Sequence, residues 1–127
     1  GRFQQPENVT TGWKLGLRTG GPFGYFIHFD PAREIVTLSK VIESQEDDAE
    51  AIEVVELSKK EEVYLVPGSW QSFKAVADGE ELSLSLDNQS LLFATDGTFS
   101  SGILTISSVK GLGESAPVSF KNFEVVI

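Results

Sequence analysis

From Trp70 to Ile127 apolar and polar residues alternate with a period of two, one short run after another, and no helical period appears. Trp70-Gln-Ser-Phe73-Lys-Ala-Val76 predicts a strand that stops at Asp78-Gly79, a strong tight-turn pair. Leu82-Ser-Leu84-Ser-Leu86 alternates strictly and stops at Asp87-Asn88. Further strands are expected at 91–94, turned by Asp96-Gly97, at 102–106 and at 118–125. The N-terminal half continues the theme. Residues 12–18 place Trp13, Leu15 and Leu17 on one face, with Lys14, Gly16 and Arg18 on the other. Residues 23–30 put Phe23, Tyr25, Ile27 and Phe29 on one face, and Gly24, Phe26, His28 and Asp30 on the opposite one. Large apolar groups on both faces predict a central strand. After a turn at Asp30-Pro31, residues 35–41 set Val36, Leu38 and Lys40 against Ile35, Thr37, Ser39 and Val41. Residues 50–57 fit a helical stripe as well as a strand, and their strand neighbours favour the strand. Residues 62–66 read as extended up to Pro67-Gly68, and residues 1–11 as a loop or an edge strand.

The pattern predicts an all-β fold: a two-sheet antiparallel jelly-roll sandwich, with its first strand shortened or missing. At 127 residues the chain is expected to form a single domain, 1–127, able to bury one core without staples. Cysteine is absent, so disulfides and thiolate metal sites play no part. The apolar runs are too short for a bilayer-spanning helix, and no membrane insertion is expected. A first residue of Gly is expected of a mature or excised module. Charge is concentrated. The acidic segment 43–62 holds nine acids against Lys59 and Lys60, so it carries −7 of the net −9. Such a surface repels phosphate backbones, and nucleic acid is not an expected partner.

The order of GWKLGLR, GYFIHFDP, VTLSKV, a W-x-x-F strand before Asp78-Gly79, LSLSLDN, SSGILTI and VSFKNFEVV resembles the concanavalin A-like lectin/glucanase superfamily. Within it the chain is similar to laminin-G-like modules, to family 66 carbohydrate-binding modules and to 3-keto-disaccharide hydrolase-like domains. The resemblance covers residues 12–127, and its motifs are turns and core faces rather than catalytic signatures. Phe120-Lys121-Asn122-Phe123 fills the family's closing slot, with Lys121 where an acid is common. The usual domain has a further strand before the Gly12-Trp13 segment. Here residues 1–11 supply a short version, or the domain is a fragment, or a partner donates the strand.

The resemblance implies an extracellular, secreted or cell-surface carbohydrate-binding module. Sugar binding needs a ring to stack on a sugar face and polar side chains to pair with hydroxyls. The candidates are Arg18, Tyr25, His28, Asp30 and Trp70, with Lys40 beside them. His28 and Asp30 lie two apart on one strand face, about 7 Å by strand geometry. Were that face concave, Arg18, His28, Asp30 and Lys40 would form a polar floor. The plainer alternative is a solvated sheet face with a satisfied histidine, and core packing for Trp13 and Trp70. Glu46, Asp47 and Asp48 are weak calcium candidates, lacking the glycine and spacing of an EF-hand loop. No certain cofactor is implied, though calcium occurs in relatives. Clean strands carry no acidic pair of glycosidase type, and no nucleophile motif is present, so an enzyme is not expected. The expected partner is a glycan, with a parent enzyme or another protein domain beside it. The rival readings are a structural or adhesion module that receives a donated strand, and a fragment of a glycoside-hydrolysing enzyme.

Overall fold

The computed structural model describes residues 1–4, 12–44, 52–64, 70–109 and 119–121. Ten strands and no helix occur among them: β1 (Arg2–Gln4), β2 (Gly12–Gly20), β3 (Phe23–Asp30), β4 (Ile35–Glu43), β5 (Ile52–Lys60), β6 (Trp70–Asp78), β7 (Glu81–Leu86), β8 (Gln89–Thr95), β9 (Ile103–Val109) and β10 (Ser119–Lys121). They form two five-stranded sheets. One, the β3 sheet, has the order β5-β4-β3-β2-β9; the other, the β6 sheet, has the order β10-β1-β6-β7-β8. Neighbouring strands run antiparallel throughout. As its two apolar faces predict, β3 is the middle strand of its sheet.

Period-two alternation decides what each sheet buries. Trp13, Leu15, Ile27, Phe29, Val36 and Leu38 point inward from the β3 sheet, against Phe3, Phe73, Leu82, Leu84, Leu86 and Leu92 from the β6 sheet. At one end four rings meet across the two layers. The Trp13 and Phe29 rings stack with centroids 4.0 Å apart. Phe3 lies 5.1 Å from Trp13 and 5.6 Å from Phe29, and Phe73 lies 5.2 Å from Trp13.

The hairpin turns follow their residues. In the β6–β7 turn Gly79 takes a φ of 58°. In the β7–β8 turn both Asp87 and Asn88 are left-handed, at 48° and 66°. Two positive φ values in a two-residue loop match the twist of the flanking strands. The strand favoured over residues 50–57 is present from Ile52 as β5, and residues 50 and 51 lie outside the described residues.

Two expectations need correction. The N-terminal segment is neither loop nor edge strand in its first residues. β1 lies inside the β6 sheet, paired with β10 on one side and β6 on the other. Three residues are too few to show alternation, yet Phe3 is fully buried. The place for a donated strand is therefore filled by this chain. Residues 62–64 are also not a strand. Glu62 has a φ of 58°, which breaks the extended run, and Val63 is buried with its N–H donating to the Glu34 carbonyl at 2.8 Å. Residues 65 and 66 lie outside the described residues.

Phe3→Ala opens a cavity inside the four-ring contact and is expected to cost about 3–5 kcal/mol. A urea titration checks this. The midpoint falls at unchanged slope if β1 belongs to the cooperative core, and stays in place if β1 is dispensable.

Candidate functional site

The sequence candidates do not converge; they divide among three places. Arg18 and Tyr25 sit at one rim of the sandwich with Lys40. The register of β2 shifts between Leu17 and Gly20 against β3, and between Gly16 and Thr19 against β9. In this bulge Arg18 takes a φ of 52°. Bulges re-aim side chains, so Arg18 leaves the Lys14 and Gly16 face on which simple alternation puts it. Its guanidinium donates to the carbonyls of Gly79 at 2.7 Å, Phe99 at 3.1 Å and Ala77 at 3.1 Å. A cation from the β3 sheet thus bolts the β6–β7 hairpin of the other sheet.

Asp96 completes this rim. The Tyr25 hydroxyl donates to Asp96 Oδ1 at 2.7 Å and accepts the Phe99 N–H at 3.1 Å. Lys40 Nζ donates to Asp96 Oδ2 at 2.8 Å and to Thr98 Oγ1 at 3.0 Å, and the Thr98 N–H donates to Asp96 Oδ1 at 2.9 Å. Burial pushes the Asp96 carboxyl up, but the bonds from Lys40, Thr98 and Tyr25 outweigh it and hold the group well below the usual carboxylate range. Burial, with the Asp96 charge, pushes the Tyr25 hydroxyl up. The arrangement is structural, with its charges spent on each other and on backbone carbonyls. A signal for it was present in the alternation: Tyr25 and Lys40 stand in phase with buried Ile27 and Leu38, and an inward lysine needs an anion.

His28 and Asp30 stand on the outer face of the β3 sheet. Cross-strand pairing sets Lys14, His28, Thr37 and Lys59 in one row across β2, β3, β4 and β5. The next row holds Gly16, Phe26, Ser39 and Glu56. Glycine on β2 is required here by close approach. A Cβ at Gly12 would come 2.5 Å from the Phe29 carbonyl oxygen and 3.5 Å from His28 Nε2; one at Gly16 would overlap Thr105 Oγ1, come 2.8 Å from Thr19 Cγ2 and lie 3.2 Å from the Phe26 ring. The imidazole and phenyl rings therefore lie beside a strand stripped of two side chains, with Lys14 rising between. Asp30 Oδ1 accepts the Arg33 N–H at 3.3 Å, closing the β3–β4 turn. Burial first, then the charges of Lys14 and Arg33, lower the His28 pKa below the ordinary 6.5, against an opposing pull from Asp30. The lowered pKa favours the neutral ring, which offers one N–H donor and one nitrogen acceptor.

Trp70 opens β6 on the far sheet, 38% exposed. Glu46, Asp47 and Asp48 lie outside the described residues. Among the described residues no three His, Asp or Glu side chains gather as metal ligands.

No protein-family model matches the chain, and no curated protein sequence matches it. Solved structures do. The carbohydrate-binding module CBM66 from Bacillus subtilis superposes with a TM-score of 0.65 at 18% identity over 85% of this chain. The chain spans 63% of that module's length. Sheep galectin-11, in complex with glycerol, superposes with a TM-score of 0.53 at 12% identity, covering 85% of each chain. The fold is a two-sheet antiparallel β-sandwich of jelly-roll form. At these identities the likeness establishes the β-sandwich and leaves the ligand to the residues.

Two outcomes test these environments. The Asp96 pKa is depressed by folding, so its stabilisation is complete above the ordinary carboxylate pKa of about 3.9 and is lost as pH falls through the lower folded value. Asp96→Asn is expected to lower stability at pH 7, with its deficit to wild type shrinking below about pH 4 in pH-resolved denaturant titrations. In an NMR titration the His28 ring is expected to titrate below 6.5. Lys14→Ala should move it up, and Asp30→Asn further down.

Proposed function

We propose that this domain is a non-catalytic carbohydrate-binding module that takes a glycan on the outer face of its β3 sheet. The observation that carries the reading is the solvent-facing row Lys14–His28–Thr37–Lys59 with the Phe26 ring beside it. The printed names of both structural neighbours, a carbohydrate-binding module and a galectin, support it. Neutral imidazole, ammonium, hydroxyl and carboxylate groups on one shallow face suit the donors and acceptors of vicinal sugar hydroxyls, and the phenyl ring offers an apolar surface. Lys14 and Asp30 flank His28, and Lys59 pairs with Glu61 at 3.2 Å, so cations on this face are matched by acids and the face suits an uncharged sugar. His28 and Asp30 keep their place as contacts. Arg18 and Tyr25 act on the face only through the fold they brace. The extracellular setting belongs to the same proposal.

The adhesion-module alternative drew on an unfilled strand position, and β1 occupies that position. A glycan array with calcium and with chelator tests the reading, followed by calorimetry on any uncharged glycan bound. His28→Ala and Lys14→Ala are each expected to weaken affinity about tenfold, the loss of one or two hydrogen bonds. Arg18→Ala should lower the denaturation midpoint and leave affinity intact in folded protein. A blank array, or full affinity in His28→Ala, ends the proposal, and loss of binding on chelation would add a metal to it.

A further inference from the structure

The opposite outer face, on the β6 sheet, has a different chemistry. Trp70 pairs with Gln4, and Ser72, two residues along β6, pairs with Arg2, which in turn pairs with Lys121 on β10. Lys74 follows on the same face, exposed, and pairs with Ser85. Arg2 is exposed, and Trp70 is 38% exposed. Diagonal neighbours on paired strands lie about 7–8 Å apart, so Arg2 stands that close to both Trp70 and Lys74. From Trp70 to Lys74 the strand spans about 13 Å, the reach of a short oligosaccharide.

Acids are scarce around this patch among the described residues. Asp87 adjoins it, and its carboxylate accepts the Ser72 N–H at 2.9 Å, the Ser72 hydroxyl at 3.3 Å and the Gln71 amide at 3.3 Å. Asp78 lies about 13 Å beyond Lys74 along β6. The net charge of −9 does not decide the matter, because most of it belongs to the segment 43–62. The described part of that segment lies on β4, on β5 and in the residues just after β5. Packed sheets are about 10 Å apart, so exposed charges on the two outer faces stand farther apart than that, and exposed charges beyond about 8 Å are largely screened by solvent ions at physiological ionic strength. The patch thus faces solvent with its own local charge, which is positive.

We propose that this patch is a second saccharide site, selective for chains bearing carboxylates. The Trp70 indole stacks on a sugar ring, Arg2 and Lys74 pair with uronate carboxylates, and Gln4 meets ring hydroxyls beside the indole. Two cations and one indole beside hydroxyl-pairing groups suit a uronate chain better than nucleic acid, which takes a longer basic track with several stacking rings.

The test is a titration of the full chain with polygalacturonate, with its methyl-esterified form and with a poly-dT oligonucleotide, followed by tryptophan fluorescence and affinity electrophoresis. Polygalacturonate is expected to bind, about tenfold more tightly than the ester, and to weaken as salt rises. Trp70→Ala should lose tenfold or more, and the Arg2→Glu, Lys74→Glu pair should abolish binding. Lys74→Glu alone, at an exposed position, should weaken it with an unchanged denaturation midpoint. His28→Ala should leave polygalacturonate binding intact, which separates this site from the one on the β3 sheet. The proposal is overturned if polygalacturonate does not bind, if the ester binds equally well, if the double variant retains binding, or if poly-dT binds as tightly.

Discussion

Four aromatic rings hold the two sheets against each other, and the rest of the architecture depends on that contact. Trp13 and Phe29 come from adjacent strands of the β3 sheet, Phe3 and Phe73 from adjacent strands of the β6 sheet. Each ring pair adds about 0.5–1.5 kcal/mol beyond the area it buries. More important is where the contact falls. It captures a three-residue strand that has little pairing length of its own, and so completes the β6 sheet between β10 and β6. With that position filled, recognition has the outer faces to work with.

The far end of the sandwich is held by different physics. There the inward positions carry Tyr25 and Lys40 in place of aliphatic groups, and polar groups at a sheet's inner face are costly unless paired. Asp96 meets both, and Arg18 meets two carbonyls of the β6–β7 hairpin in the opposite layer and the Phe99 carbonyl in the connection from β8 to β9. An apolar knot at one end and a charged clasp at the other fix the stacking of the sheets in both directions. The clasp also explains why a sandwich with a large acidic excess keeps an arginine and a lysine at its rim.

Much of this was legible in the sequence. Strict alternation located most of the strands, Asp78-Gly79 and Asp87-Asn88 located two turns, and the two apolar faces of residues 23–30 identified the central strand. What escaped has specific causes. Alternation assumes an unbroken ladder, so the bulge at Arg18 inverted the side on which that residue was placed. Asp96, in an Asp-Gly pair, reads as a turn residue, and nothing local reveals that its partners lie 56 and 71 positions away. Phe3 stands in a segment too short for any period. Site residues that share a strand, His28 and Asp30, stayed together; those on different strands depended on registers that only the fold supplies.

The division into two outer faces bears on how net charge should be read in a β-sandwich. A whole-chain value of −9 argues against polyanionic ligands only if the acids are spread evenly. Here the described acids of the segment 43–62 lie on β4, on β5 and just after β5, while Arg2 and Lys74 occupy the opposite layer. Ionic screening acts over a distance shorter than the spacing of the layers, so each face presents its own potential to solvent. The β3 face mixes both signs around an uncharged imidazole, which suits hydroxyl recognition without charge selection. The β6 face is positive beside an indole, which suits carboxylates. A fold with two solvent faces can therefore carry two specificities, because charges on opposite outer faces stand farther apart than exposed charges act through salt solution.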